Sequence, residues 1–69
     1  MADTSKALKA GQKLRQLIQE SSMTQEQCAE RYSMDLRTLN RYINQGITKV
    51  ATVEEMANIF DIDFIEFFR

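Results

Sequence analysis

The feature that most limits how this chain can fold is the stretch Met23–Gly46, which carries two separate helix-start signals. Thr24 and Gln27 have the spacing of a capping box, in which the hydroxyl accepts the Gln27 amide and the glutamine side chain reaches back. Asp35 is placed to cap a second helix, and Gly46 is typical of a left-handed residue that ends one. The corner between them, at residues 32–34, is very short. The stretch therefore predicts two short helices meeting at a sharp angle.

Apolar periodicity and further caps extend this prediction to the whole chain. They predict one compact all-α domain over residues 1–69, with a frayed terminus at 1–4 and five helices at about 5–20, 25–31, 36–45, 53–60 and 64–68. Ser5 is the expected cap of the first helix. Thr52 with Glu55 has the spacing of another capping box, and Asp63 with Glu66 repeats that arrangement before the last helix.

Three kinds of residue carry further expectations about packing. Gly11 lies on the apolar stripe of helix 1, where glycine costs up to about 1 kcal/mol relative to alanine. We therefore expect it to allow another helix to approach closely. Cys28 has no neighbouring base in sequence and is predicted to fill the core. The three phenylalanines among the last six residues either complete the core or form a surface for an oligomer or another partner.

Composition excludes several classes of function. The chain has no His and one Cys, so it has no metal-ligand set, no disulfide and no His-based nucleophile. We expect no cofactor, no small-molecule substrate and no enzymatic activity. No apolar stretch approaches the roughly 18–20 residues of a membrane span. The predicted location is the cytoplasm, away from any membrane.

Charge is distributed unevenly along the chain, although the net charge is only -1. The segment from Thr4 to Gln19 contains four basic residues and no acid, and it forms either a solvated helix face or a set of phosphate contacts. The window Leu36–Val53 is also free of acids, and its basic residues are Arg37, Arg41 and Lys49. Half of the ten acidic residues lie in the last sixteen positions. Helix 3 is therefore the predicted working surface, even though dedicated polyanion binders are usually more basic overall.

Helical spacing separates the two faces of helix 3. The predicted inward residues are Leu39, Tyr42 and Ile43. The opposite face is polar and consists of Arg37, Thr38, Arg41, Asn44 and Gln45.

The two capped helices resemble the Cro/repressor-type (XRE-like) helix-turn-helix family over about residues 8–68. The matching residues are Thr24-Gln25-Glu26, Ala29-Glu30, Tyr32 and Met34 around the corner, and Thr38-Leu39 with Arg41. The resemblance implies a compact five-helix domain of the lambda-repressor-like type. It also implies that helix 3 enters the major groove of DNA, where an arginine can donate two hydrogen bonds to guanine.

The same resemblance implies roles for individual residues. Gln25 meets the DNA backbone or braces a base-contacting side chain, Asn44 touches phosphate, and Lys49 adds charge in the following loop. The positions facing the major groove are those of Leu36, Arg37, Thr38 and Arg41. The full candidate set for binding DNA or a partner is Gln25, Leu36, Arg37, Thr38, Asn40, Arg41, Asn44 and Lys49.

Three positions depart from the family pattern. Ser33 stands where glycine is usual, so either its backbone accepts a less favourable geometry or the turn differs slightly from the family pattern. Cys28 replaces a larger leucine. Leu36 occupies a position that is generally polar, where it can touch a thymine methyl group, form part of a protein-binding surface, or pack against its own turn.

Two functions follow from one surface. The first is a transcriptional regulator that binds double-stranded operator DNA as a homodimer in a bacterial cell, with a phage lytic/lysogenic switch as its expected setting. The second is an antirepressor or modulator of repression, similar to those of temperate phages. It would bind the DNA-binding domain of a repressor through the helix 2–helix 3 surface, as a heterodimer, and block it from DNA. The basic helix 3 favours the first function, whereas Leu36 and the slightly acidic composition favour the second.

Overall fold

The computed structural model describes the backbone of residues 2–69 and the side chains of residues 6–69. Within that range the chain forms four α-helices and one short 3₁₀ helix, and no strand. The helices are α1 (Ala2–Glu20), α2 (Gln25–Arg31), α3 (Leu36–Gln45) and α4 (Val50–Phe60), followed by the 3₁₀ helix Phe64–Phe68. The all-α prediction is confirmed, whereas the prediction of a fifth α-helix is wrong.

The two central helices begin and end where their caps predict. Both hydrogen bonds of the Thr24 capping box are present. The Gln27 amide donates to the threonine hydroxyl at 3.1 Å, and the Thr24 amide donates to Gln27 Oε1 at 2.9 Å. Asp35 caps α3 by accepting the Thr38 amide at 3.1 Å. Local side-chain chemistry therefore fixes the bounds of α2 and α3.

Two other helix starts differ from the prediction. Helix α1 begins at Ala2, so the predicted start and cap at Ser5 are wrong; Met1 lies outside the described residues. Helix α4 begins at Val50, and its cap residue Lys49 makes no side-chain hydrogen bond. The Thr52 amide already donates to the Lys49 carbonyl, at 3.1 Å, so the helix has closed a turn before the predicted cap at Thr52.

The C-terminal helix is capped as predicted but is a 3₁₀ helix, with fewer residues per turn than an α-helix. The Asp63 carboxylate accepts the Ile65 amide at 3.2 Å. Glu66 does not reach back to Asp63 and instead pairs with Arg69 at 3.5 Å. Five residues offer few of the i→i+4 hydrogen bonds that an α-helix needs, which favours the tighter 3₁₀ form.

Three helix ends place a residue other than glycine in the left-handed region of the backbone. These residues follow α1, α2 and α4 and are Ser22 (φ 59°), Ser33 (φ 55°) and Asp61 (φ 56°). After α2, the Ser33 amide donates to the Glu30 carbonyl at 3.3 Å and the Met34 amide to the Ala29 carbonyl at 2.7 Å, the pattern of a Schellman motif. The other two ends repeat that pattern. The less favourable geometry predicted for Ser33 is confirmed.

One core joins all the elements. The buried side chains that form it come from every helix and from the loop before α4: Ala10, Leu14, Ile18, Cys28, Ala29, Leu39, Ile43, Ile47, Val53, Met56, Ala57 and Phe67. The residues that follow the three left-handed positions, Met23, Met34 and Ile62, are half-buried and pack against this core. Each sharp corner is thus held by an apolar anchor as well as by its backbone hydrogen bonds.

Helices α1 and α3 meet backbone to backbone through two glycines. A Cβ atom added at Gly11 would overlap the Tyr42 carbonyl oxygen, which confirms the close approach predicted for this glycine. Gly46 ends α3 with φ 96° and ψ 172°. Its φ is positive, as predicted, but its ψ lies far from the value of the predicted left-handed helical conformation. This region of the backbone map is essentially restricted to glycine. Next to it, the Ile47 amide donates to the Ala7 carbonyl at 3.0 Å and ties the loop to α1.

None of the helices within residues 2–69 is long and apolar enough to cross a membrane.

Candidate nucleic-acid interface

The outer face of α3 presents two arginines, each with an exposed side chain. Arg37 and Arg41 are four residues apart and therefore lie one turn apart on the same side of the helix. Leu39 and Ile43, on the opposite side, are buried in the core and fix the orientation of that outer face. Within the described part of the chain, neither arginine has an acidic group within ion-pair distance. Both guanidinium groups are therefore available to an external acceptor.

Thr38 lies beside the arginines but its hydroxyl is already engaged. The hydroxyl donates to Asp35 Oδ2 at 3.2 Å, and the same oxygen accepts the Thr38 amide at 3.1 Å. Its remaining groups for a ligand are the methyl group and the acceptor capacity of the hydroxyl oxygen. Asn40, on the flank of the helix, is half-buried, whereas Asn44 is exposed near the C-terminal end.

Leu36 is half-buried and packs against the core. Its contacts within the protein are thus with the core, while a contact with DNA or with a partner stays a prediction. Its side chain does not form an exposed apolar centre between the two arginines. The polar character of the α3 surface thus remains largely intact despite the leucine.

Gln25, at the start of α2, shares a small pocket with Arg15 of α1. Half-buried Gln25 helps to line a small pocket of about 190 Å³, which exposed Arg15 also lines. No sequence pattern distinguishes Arg15 from the other three basic residues of helix 1. Because the pocket brings it next to Gln25, Arg15 joins the candidate set as a second polar group on this side.

Lys49 is exposed in the loop that follows α3. The loop is short, and buried Ile47 anchors it through both its side chain and its backbone hydrogen bond to Ala7. The lysine is therefore held at a defined distance from the end of α3 by backbone structure, while its own side chain extends into solvent.

Cys28 does not contribute a reactive group to this surface. Its side chain is fully buried, and burial raises the pKa of the thiol above its usual range. The thiolate, which is the nucleophilic form, is therefore disfavoured at neutral pH. Among the described side chains, residues 6–69, no three of His, Cys, Asp or Glu come together in an arrangement that could hold a metal ion.

A family model described as helix-turn-helix matches residues 14–67, from the middle of α1 almost to the end of the 3₁₀ helix. The chain belongs to this helix-turn-helix family. The match confirms the resemblance to Cro/repressor-type proteins and covers every candidate residue, including Arg15. This is a family of DNA-binding transcription regulators. Helices α2 and α3, which are joined by a turn of four residues, have the arrangement of a helix-turn-helix unit. Comparison with curated proteins and with solved structures gives no match.

Proposed function

We propose that this helix-turn-helix protein is a regulator that binds operator DNA as a homodimer, with α3 in the major groove. The observation that carries the proposal is the outer face of α3, where Arg37 and Arg41 are exposed and have no acidic partner among the described residues. The core fixes the opposite face of the same helix, so both arginines point away from the protein body. An arginine in the major groove can donate two hydrogen bonds to the O6 and N7 acceptors of guanine.

The remaining candidate residues divide by their position relative to that face. Thr38 lies between the two arginines in sequence, and its methyl group suits contact with a thymine methyl. The proposed backbone contacts come from the two ends of the surface and the flank of α3: Arg15, Gln25, Asn40, Asn44 and Lys49. Contacts of this kind position a protein on DNA without reading its sequence.

A homodimer would place two copies of α3 in successive major grooves, about 34 Å apart along the DNA. The operator would accordingly consist of two related half-sites one helical turn apart. The resemblance to small temperate-phage regulators makes the cytoplasm of a bacterial cell, and a lytic/lysogenic switch, the proposed setting.

The alternative is an antirepressor that covers the DNA-binding domain of another repressor. The net charge of -1 favours it, because this value is low for a protein that binds DNA by charge alone. The centre of a protein–protein interface, however, is usually apolar. Because Leu36 is half-buried against the core, the α3 face offers little apolar surface. We therefore rank this alternative second.

Selection of bound DNA from a random pool, combined with capture of partners from a bacterial host, separates the two functions. The proposal expects an enriched sequence with two-fold symmetry, whose affinity falls steeply as salt rises. Recovery of a repressor without any enriched DNA sequence would overturn it in favour of the antirepressor role.

A further inference from the structure

A second surface combines exposed apolar side chains with lysines. It is an open groove of about 760 Å³ between the N-terminal part of α1, the loop before α4 and the 3₁₀ helix. Val50, Phe64 and Ile65 form part of its apolar wall, and they are 58%, 41% and 46% exposed, respectively. We call this feature the C-terminal groove. Clustered exposed apolar side chains of this kind mark an interaction site more often than isolated ones do.

The core does not account for these exposed groups. Phe67 is fully buried and Phe68 packs against the core, so these two phenylalanines complete the interior. Phe64 makes an edge contact with Phe68, with ring centroids 6.2 Å apart, and otherwise remains open to solvent. Ile65, next to it, is also exposed. The 3₁₀ helix therefore presents two apolar side chains that the fold of a single chain leaves partly uncovered.

The charge of the groove is positive. Lys6 and Lys49 both line it, and none of the described residues that line it is acidic. Lys9 and Lys13 follow Lys6 on the same side of α1, three and seven residues later, so the positive charge continues along that helix. An occupant that carries carboxylates beside its apolar side chains is electrostatically complementary to such a surface.

The acidic residues nearest in sequence lie outside the groove. Asp63 caps the 3₁₀ helix, where its carboxylate accepts the Ile65 amide at 3.2 Å. Glu66 pairs with Arg69 at 3.5 Å, and Asp61 is exposed at the end of α4. None of these three carboxylates lines the groove. The carboxylates of an occupant would therefore meet lysines there.

The shape of the groove favours one kind of occupant. Sites for small molecules are concave and bury most of the surface of the ligand. This groove is too open for that, since its apolar wall stays substantially exposed. An amphipathic helix suits an open apolar groove, because it lays one face of side chains against the groove and keeps its other face in water.

We infer that the C-terminal groove is the docking site for an acidic amphipathic helix of another protein, and that this helix competes with DNA for Lys49. Lys49 lines the groove and is also one of the proposed phosphate contacts. A lysine that pairs with a carboxylate is no longer free to pair with a phosphate, so each occupant weakens the binding of the other. Thermodynamic linkage makes this weakening equal in both directions. The competition rests on the proposed function, whereas the docking does not.

Selection from a display library of random peptides, each about 16 residues long, tests the docking without DNA. The target is the immobilised full chain. We expect enriched peptides with apolar residues at three- and four-residue steps and with Asp or Glu beside them. The most enriched peptide is then synthesised with a fluorescent label, and its dissociation constant is measured by anisotropy. Enrichment of basic peptides, or of none, would overturn the inference.

Substitutions of apolar residues test where that peptide binds. Ile65→Ser removes part of the apolar wall and should raise the dissociation constant of the peptide roughly fivefold or more. Leu8→Ser is the matched control, because Leu8 is 41% exposed on α1 and does not line the groove. It should change the dissociation constant by less than about twofold. If circular dichroism shows that Ile65→Ser unfolds, Val50→Ser replaces it. Equal weakening by Leu8→Ser would overturn the inference.

Substitutions of basic residues test the charge of the occupant. Lys6→Gln should weaken binding of the peptide about two- to fivefold at low salt, and the difference should shrink as salt rises. Arg31→Gln removes the same charge from α2, outside the groove, and should change the dissociation constant by less than about twofold. Equal effects of the two substitutions would contradict a specific pairing at the groove.

A competition experiment with the selected operator tests the role of Lys49. Saturating peptide should lower the affinity for the operator about 5–10-fold, the contribution of one phosphate contact near about 0.1 M salt. Lys49→Gln lowers the affinity for the operator by removing that contact. Saturating peptide should then cause no further loss. An operator affinity that peptide leaves unchanged in the original chain, or lowers equally in Lys49→Gln, would overturn the competition.

Two further outcomes separate this inference from the proposed homodimer and from DNA binding. If sedimentation equilibrium shows a dimer that Ile65→Ser dissociates, and dimerisation displaces the peptide, a second copy fills the groove and the inference is overturned. A peptide that binds the groove of a chain with no affinity for DNA supports the docking and contradicts the proposed function.

Discussion

Replacing Ser33 with glycine should stabilise the protein, although the substitution removes a side chain and adds no contact. Ser33 has φ 55°, where a side chain other than glycine costs roughly 1–2 kcal/mol. Glycine relieves that strain but loses more conformational freedom on folding, which costs roughly 0.5–1 kcal/mol. The net expected gain in unfolding free energy is about 0.5–1 kcal/mol. For a domain of this size that corresponds to a rise in Tm of roughly 3–6 °C.

The assay is reversible thermal and urea unfolding followed by circular dichroism. Ser21→Gly is a closely matched control, because Ser21 is also exposed and also follows a helix but does not have a positive φ. Its unfolding free energy should fall by up to about 1 kcal/mol, because glycine there brings only the entropic cost. Ser22→Gly, at φ 59°, should behave like Ser33→Gly. If Ser21→Gly and Ser33→Gly changed Tm in the same direction, the reasoning from left-handed strain would be refuted.

Two further predictions concern contacts within the fold and use the same unfolding assay. Gly11→Ala should lower the unfolding free energy by about 2 kcal/mol despite the better helix propensity of alanine, because the new methyl group meets the backbone of α3; an unchanged or higher stability would contradict this. Thr24→Ala should cost about 1 kcal/mol because its hydroxyl caps α2, whereas Thr52→Ala should cost less than about 0.5 kcal/mol because Thr52 caps nothing. Equal losses at the two threonines would contradict the assignment of the caps.

Where the signals are local, the fold could be predicted from sequence. The Thr24 and Asp35 caps act within three residues, so they fix α2 and α3 without reference to the rest of the chain. The same spacing at Thr52 predicts the wrong start for α4. The loop before that helix is held by the hydrogen bond from the Ile47 amide to the Ala7 carbonyl. That bond joins residues forty positions apart, and no local pattern reveals it.

The candidate site could be predicted only in part for a similar reason. Helical spacing is enough to place Arg37 and Arg41 on an outer face, because the buried residues of α3 are evident from their apolar character. Helical spacing does not predict how much of the Leu36 side chain is buried against the core, because that burial depends on packing between elements. Likewise, the position of Arg15 next to Gln25 depends on how α1 crosses the start of α2.

The central claim is that the outer face of α3 reads DNA, and the most direct measurement is the affinity of single-arginine variants for the selected operator. Arg37→Ala and Arg41→Ala should each weaken specific binding by roughly 1–3 kcal/mol at fixed salt. Arg69→Ala makes the same change in net charge at the far end of the chain, and its exposed pair with Glu66 contributes little. It should leave the operator affinity nearly unchanged. Operator binding that survives both α3 substitutions, or that Arg69→Ala weakens equally, would contradict the claim.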